Sequence, residues 1–293
     1  MKKIGMIGIG MMGHGIATNL RKHGHDLTVL VHPGNQPLDA LIAAGVRTCP
    51  SARELASQSD VVLLCVTGSP QVEAVLIGED GVLQGMKPGT VIIDCSTAIP
   101  TSTQKLADRV IAQGGQFLDA PMTRTPKEAA EGRLNLLVGG DAKVFDACRP
   151  LLSCFAENIV HAGPIGAGHR MKLLHNYVSL GMVTLLAEAA ACAQRSDVNP
   201  HTFVDVLAMG GGWGAALERL KPFLLAGDNS GLRFSMANAL KDLTYYNAMA
   251  QDADADHTVA SAVKRTLELA CQEVDPQTLL PEIIPVIAQR AKR

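Results

Sequence analysis

Residues 3–19, KIGMIGIGMMGHGIATN, read as a short apolar strand running through Gly8-Ile9-Gly10-Met11-Met12-Gly13 into a helix. Each glycine of this G-x-G-x-x-G spacing has its own physical task. Gly8 permits the tight strand-to-helix turn, Gly10 lets backbone approach a pyrophosphate, and Gly13 lets the helix pack closely on the strand, with free N–H groups facing the anion. With 28 glycines in 293 residues chance matches are expected, so context decides. A second strand, Leu27 to Val31, follows at βαβ distance, and a dinucleotide site is the reading that fits.

From residue 1 to 162 short apolar strands alternate with amphipathic helical stretches. The strands are Lys3 to Gly8, Leu27 to Val31, Val61 to Val66, Val91 to Asp94, Phe117 to Asp119 and Leu134 to Val138. This alternation predicts a Rossmann-type α/β domain, a doubly wound and largely parallel sheet with helices on both faces. Past Gly163-Pro164-Ile165-Gly166 the strand signals stop, and residues 163–293 read as an all-α domain. Its first segment, Gly168 to Arg195, is long enough for one interdomain helix about 40 Å long at ~1.5 Å per residue.

A chain that is 47% hydrophobic and 18% charged suits a folded, soluble α/β protein. A net charge of −2 offers no general attraction to nucleic acid or anionic membrane, and 3% aromatic residues make a base-stacking platform improbable. No apolar run is seen to approach the roughly 20 residues of a membrane span, and the strand at the N-terminus leaves no room for a secretory signal, so a cytoplasmic location is expected. The seven cysteines are scattered and never spaced C-x-x-C, as for buried reduced thiols, and no metal site is indicated.

Ligands of doubly wound sheets sit outside the carboxyl ends of the strands. That rule selects the loops at Val31-His32-Pro33, Val66-Thr67-Gly68-Ser69, Cys95-Ser96-Thr97-Ala98 and Pro121-Met122-Thr123-Arg124-Thr125. In GAGHRMKLLHN, Lys172 and Asn176 stand four apart and share a helix face, with His175 flanking it. A helical lysine is usually a solvated surface residue. Here its neighbours Met171, Leu173 and Leu174 are apolar, and the glycine-rich lead-in suggests close approach by another element.

These residues resemble the β-hydroxyacid dehydrogenases, the group containing 3-hydroxyisobutyrate dehydrogenases and tartronate semialdehyde reductases. The resemblance spans nearly the whole chain. It rests on GIGMMG followed by IATNL, DCSTAIP at 94–100, DAPMTRT at 119–125, GAGHRMKLLHN at 166–176 and FSMANALKDL at 234–243. It implies Lys172 as the catalytic lysine, Asn176 as the amide that holds substrate beside it, Ser96 as a substrate contact, and Lys241 near both nicotinamide and substrate. Met11, Met12, Val66, Thr67 and Thr97 fall on the cofactor side of the same loops. Two departures stand out. Thr123-Arg124-Thr125 replaces the common S-G-G, and His175 replaces the first asparagine of K-x-x-N-N.

The implied chemistry suits the residues. A base must take the hydroxyl proton as hydride leaves for nicotinamide, and an acid must return it in reverse. A lysine does both when its pKa is lowered by desolvation and a neighbouring cation. Arg124, helped by Thr123 and Thr125, suggests a small anionic substrate, carboxylate or sulfonate, since some sulfolactaldehyde reductases of the family carry arginine and threonine here. Its alternative is a surface pair with Glu128 or Glu131. His175 bonds substrate, orients Asn176, or fills helix surface. Trp213, the chain's one tryptophan, is either a pocket wall or a helix-cap packing residue. The resemblance also implies a homodimer or homotetramer formed through the helical domain.

The acid expected about 20 positions after the glycine loop, to bond the ribose 2′-hydroxyl, is missing. Val31-His32-Pro33-Gly34-Asn35 stands there, and His32 with Asn35 would accommodate a 2′-phosphate, so NADP is favoured over NAD. Two other functions share the architecture. An imine reductase would not present the Ser96, Arg124, Lys172 and Asn176 set, and a non-catalytic nucleotide-binding reader domain typically lacks the lysine. A decarboxylating 6-phosphogluconate dehydrogenase has a much longer substrate domain.

Overall fold

The computed structural model describes residues 2–290. The chain divides after Lys172 into two compact units.

The first unit runs β1 (Lys3–Ile7), α1 (Met11–Lys22), β2 (Asp26–Leu30), α2 (Asp39–Ala43), β3 (Arg47–Cys49), α3 (Ala52–Ser57), β4 (Val61–Leu64), α4 (Ser69–Ile77), β5 (Val91–Asp94), α5 (Pro100–Ala112), β6 (Gln116–Asp119), β7 (Met122–Thr123), α6 (Pro126–Glu131), β8 (Leu134–Gly140), α7 (Ala142–Leu152) and β9 (Ala156–Gly163). The strands form one sheet in the order β3-β2-β1-β4-β5-β6-β8-β7, with β9 on β8. From β3 to β6 every pairing is parallel. β8 runs antiparallel to β6 and β7 and parallel to β9. The expected doubly wound sheet is therefore present.

Side-chain alternation explains why both faces are covered. Ile4, Met6, Leu63 and Ile93 enter one core with Ile16 and Leu20 of α1 and Phe145 of α7. Ile7, Val62, Leu64 and Ile92 enter the other with Leu55, Leu76 and Leu106. Strand order reverses between β1 and β4, so the loop after β1 lies at the topological switch point.

Among the described residues three strands go beyond the six expected, β3, β7 and β9. β9 is half exposed and carries Glu157, Asn158 and His161, so no apolar run marks it and pairing with β8 creates it.

α8 (Ala167–Arg195) is one helix of 29 residues, and the division between the units falls within it. The second unit continues with α9 (Pro200–Ala208), α10 (Ala215–Ala226), α11 (Met236–Asp252), α12 (Thr258–Glu273) and α13 (Ile283–Arg290). Leu180, Val183, Ala187 and Ala190 of α8 pack with Leu217, Leu220, Met236, Leu243, Leu267 and Ile283. α8 corrects one sequence expectation, because it is long and apolar enough to cross a membrane by length and composition. The buried face at Leu180, Val183, Ala187 and Ala190 is what a core helix requires.

Candidate active site

The loop after β1 is shaped by what a side chain would strike. Gly8 has φ +98°, and a Cβ there would lie 2.2 Å from the Cys65 carbonyl oxygen. A Cβ on Gly13 would lie 1.9 Å from the Gly8 carbonyl oxygen, whereas one on Gly10 would meet nothing within 4 Å. α1 starts at Met11 with Gly10 as an N-cap that has no side-chain cap. The open space at Gly10, beside first-turn N–H groups without intrahelical partners, fits a pyrophosphate. Met11 is exposed and Met12 partly buried.

Asn35 latches this loop to the end of β2. Its Oδ1 accepts from Ile9 N (3.2 Å) and its Nδ2 donates to the Leu30 carbonyl (2.8 Å), while Gln36 N donates to the Ile9 carbonyl (2.7 Å). Asn35 thus serves as a scaffold for the glycine loop. A P-G-N turn beside the missing acid was the available signal. His32 is exposed, and its Nδ1 accepts from Gly34 N at 3.1 Å.

Ile7, Leu64, Asp94 and Asp119 are register neighbours across β1, β4, β5 and β6. The loops beyond this row are tied to each other. Ser96 is buried, with Oγ accepting from Val66 N (3.0 Å) and N donating to Asp94 Oδ1 (2.9 Å). Ser69 Oγ accepts from Ile99 N at 2.7 Å. Thr67 is exposed and Thr97 partly buried.

Burial pushes the Asp94 carboxyl above its usual range, with the nearby Asp119 adding to the rise and His169 and Ser96 pulling it back. Burial also pushes the neighbouring thiols up, Cys65 to about 12 and Cys95 well above its ordinary value. A folded-state carboxyl pKa above the unfolded value means that the folded chain holds a proton the unfolded chain has released. Stability therefore falls as pH rises from the ordinary carboxyl range through the raised value. Asp94→Asn is expected to flatten that part of a Tm-against-pH curve, and an unchanged slope would count against it.

In the 121–125 loop, Thr125 caps α6 through a capping box, its N and Oγ1 donating to Glu128 Oε2 at 3.0 and 2.5 Å. That contact holds the Glu128 carboxyl below its usual range. Thr123 Oγ1 accepts from Asn135 Nδ2 (3.0 Å). Arg124 adopts φ +83°, the left-handed region that glycine occupies at little cost. Its guanidinium binds Glu157 on β9 and the Arg133 carbonyl, so the surface partner is neither Glu128 nor Glu131. The hydrogen bond from Arg124 lowers the Glu157 carboxyl. Glu157 was out of reach of sequence reasoning because β9 was.

Asp119 is the N-terminal anchor of the α8 region. Its carboxylate accepts from Gly166 N (2.7 Å) and His169 N (2.8 Å), and a Cβ on Gly168 would lie 2.2 Å from the Leu137 carbonyl oxygen. The close approach suggested by the glycine-rich lead-in is real, and it seats Lys172, partly buried, on the second turn of α8.

Within the second unit, Asn176 is buried and donates from Nδ2 to Asp242 Oδ2 at 2.6 Å. A carboxylate only accepts, so the amide orientation is assigned, and Asn176 Oδ1 receives His175 Nδ1–H at 2.9 Å. Of the three roles considered for His175, both exposure on the helix surface and a bond that orients Asn176 are seen. Lys241 Nζ lies 3.1 Å from Asp242 Oδ1 and 5.5 Å from the Tyr245 ring centroid. Asp242 was missed. Its signal was its place beside Lys241 in the K-D-L block. Trp213 is 68% exposed in the loop between α9 and α10.

Residues 3–163 match the NAD binding domain of 6-phosphogluconate dehydrogenase, and residues 166–286 match the NAD-binding domain of NADP-dependent 3-hydroxyisobutyrate dehydrogenase. An NAD-dependent L-serine dehydrogenase of Pseudomonas aeruginosa is 36% identical over 225 residues, covering 76% of this chain and 74% of that one. A 2-(hydroxymethyl)glutarate dehydrogenase of Eubacterium barkeri is 34% identical, covering 82% and 80%. The chain belongs to the β-hydroxyacid dehydrogenase family. A solved 3-hydroxyisobutyrate dehydrogenase of Mycobacterium tuberculosis, with L-serine, superposes at TM-score 0.86 and 26% identity, over 98% of this chain and 99% of that one.

As a β-hydroxyacid dehydrogenase the protein is an NAD(P)-dependent oxidoreductase. The Gly8–Gly13 cradle would hold the pyrophosphate of NAD or NADP. When bound, the nicotinamide supplies or accepts the hydride. The protein's own contributions are a glycine loop held by Asn35, carboxyl-end loops stapled through Ser96 and Ser69, and a lysine on a helix anchored by Asp119.

Proposed function

We propose that this dehydrogenase interconverts a short 3-hydroxy acid, or the corresponding aldehyde acid, with its carbonyl form, with Lys172 as general acid and base. The observation that carries the reading is the seating of Lys172. Asp119 and Gly168 press the start of α8 onto the sheet at the carboxyl ends of its strands, where a hydride acceptor on the glycine loop belongs. Lys172 Nζ takes the hydroxyl proton in oxidation and returns it to the forming alkoxide in reduction. The Asn176 amide, oriented by Asp242, holds the substrate. Relatives named for L-serine and 2-(hydroxymethyl)glutarate support a carboxylate substrate, with a sulfonate of similar shape as the alternative anion.

The test is a panel of small hydroxy acids and aldehydes, carboxylate and sulfonate, assayed with both nicotinamide cofactors. Turnover of a hydroxy acid, faster with NADP because no acid follows β2, is expected. Reduction of a cyclic imine with no turnover of any hydroxy acid would replace the reading, and a strong kinetic preference for NAD would overturn the NADP assignment.

Arg124 engages the anionic head group by exchanging Glu157 for substrate. Arg124→Ala is then expected to raise KM about tenfold or more for the acid and little for an uncharged aldehyde. Equal effects on both would count against it.

The protein works in the cytoplasm as a homodimer or homotetramer. Val178, Met182 and Leu185 form an exposed apolar stripe on α8, with Leu185 70% exposed. Leu185→Glu is expected to shift the mass measured by light scattering toward the monomer, and an unchanged oligomer would remove this stripe from the interface.

A further inference from the structure

His169 is a fully buried imidazole for which the reaction above has no use. Its Nε2 lies 3.1 Å from the Ser96 carbonyl oxygen. A carbonyl only accepts, so Nε2 carries a proton. Its Nδ1 lies 2.8 Å from Thr103 Oγ1 on α5, and the same hydroxyl reaches the Ile99 carbonyl at 3.2 Å. Two buried carboxylates flank the ring, Asp94 Oδ2 at 3.9 Å from Nε2 and Asp119 Oδ2 at 3.9 Å from Nδ1. One side chain on α8 thus touches the loop after β5 and the start of α5, while its backbone N–H is held by the end of β6.

We propose that His169 is a positioning residue that clamps the Cys95–Ile99 loop to the helix carrying Lys172. The inference rests on the proposed reaction for its kinetic consequence only. Asp119 already anchors the start of α8, so the helix does not need the imidazole to stay in place. The loop does. Ser96 receives His169 on its carbonyl and Val66 N–H on its hydroxyl, so the bonds run from α8 through Ser96 to the loop after β4. Removing the imidazole leaves the buried Ser96 carbonyl without this donor, a cost that loop displacement relieves. Ser96 and Thr97, both assigned to ligand contact, move with the loop. His169 and Lys172 stand three apart on α8 and so lie on one side of it.

The test compares three variants with wild type, at saturating cofactor. His169→Leu keeps the bulk and loses both hydrogen bonds. His169→Gln restores the donor to the Ser96 carbonyl through its amide N–H. Thr103→Val removes the partner of Nδ1 together with the hydroxyl's contact to the Ile99 carbonyl, and leaves the His169 bond to Ser96. His169→Leu is expected to speed amide hydrogen exchange across Cys95–Ile99 and to raise KM for the hydroxy acid about tenfold, with kcat within about threefold. His169→Gln should return exchange and KM close to wild type, which a purely volume-filling role would not require. If His169→Leu fails to fold, Thr103→Val against wild type decides, with faster exchange expected at Ser96 and Thr97, away from the Ile99 carbonyl that the Thr103 hydroxyl also contacts. Unchanged exchange in the folded variants, or failure of glutamine to rescue KM, overturns the clamp. Exchange is read without substrate, so absence of hydroxy-acid turnover would refute the reaction and leave the clamp independently tested.

Discussion

Lys172→Arg is expected to lower kcat by about 10²- to 10⁴-fold while leaving the Kd for NAD(P) within a few-fold of wild type. Arginine keeps the positive charge and most of the length, so a purely electrostatic or space-filling lysine would tolerate it. It cannot release its proton near neutral pH, and a general base must. The fold should survive, because the start of α8 is held by Asp119 through Gly166 and His169 and by the approach of Gly168 to β8. Cofactor fluorescence titration alongside steady-state kinetics separates the two effects. Near-normal kcat with cofactor still bound would reject Lys172 as the proton-transfer group.

The second large effect belongs to the glycine loop, where two substitutions of equal size should behave differently. At Gly13 a new methyl group would stand 1.9 Å from the Gly8 carbonyl oxygen, so the loop must shift even with nothing bound. Overpacking of this kind costs about 1–3 kcal/mol. At roughly 2–4 °C per kcal/mol, Gly13→Ala should lose several degrees of Tm, together with most of its affinity for NAD(P). At Gly10 the same methyl group meets nothing within 4 Å, so Gly10→Ala should keep its Tm and lose affinity alone. Thermal unfolding and cofactor titration of both variants are the measurements. Full affinity in Gly10→Ala would mean that the pyrophosphate does not lie over that residue.

Gly8, with φ +98°, and Gly13, packed against the Gly8 carbonyl, show why this loop was legible in sequence. Each requirement is local, a φ that only glycine adopts cheaply or a contact within a few residues, and local requirements leave fixed spacings. The same holds for the alternating strands, whereas the glycine-rich neighbourhood of Gly168 announced a close approach without naming its distant partner, Leu137. The latch formed by Asn35 was not legible, because its partners Ile9 and Leu30 come together only when β1 and β2 pair. Glu157 was not considered for Arg124, because β9 has no apolar run to mark it.

The amino-acid sequence by itself determined the Rossmann-type sheet, the helical second half, the family, and the dinucleotide cradle. Those depend on periodicity and on glycine geometry, which are properties of neighbouring residues. Only the tertiary structure decided how the polar groups are spent. Asp119 became the anchor of α8, Asp242 the orienting group for Asn176, Arg124 the partner of Glu157, and His169 a link among segments distant in sequence. A buried polar side chain must find a partner, and which partner it finds depends on the strands and helices that surround it after folding.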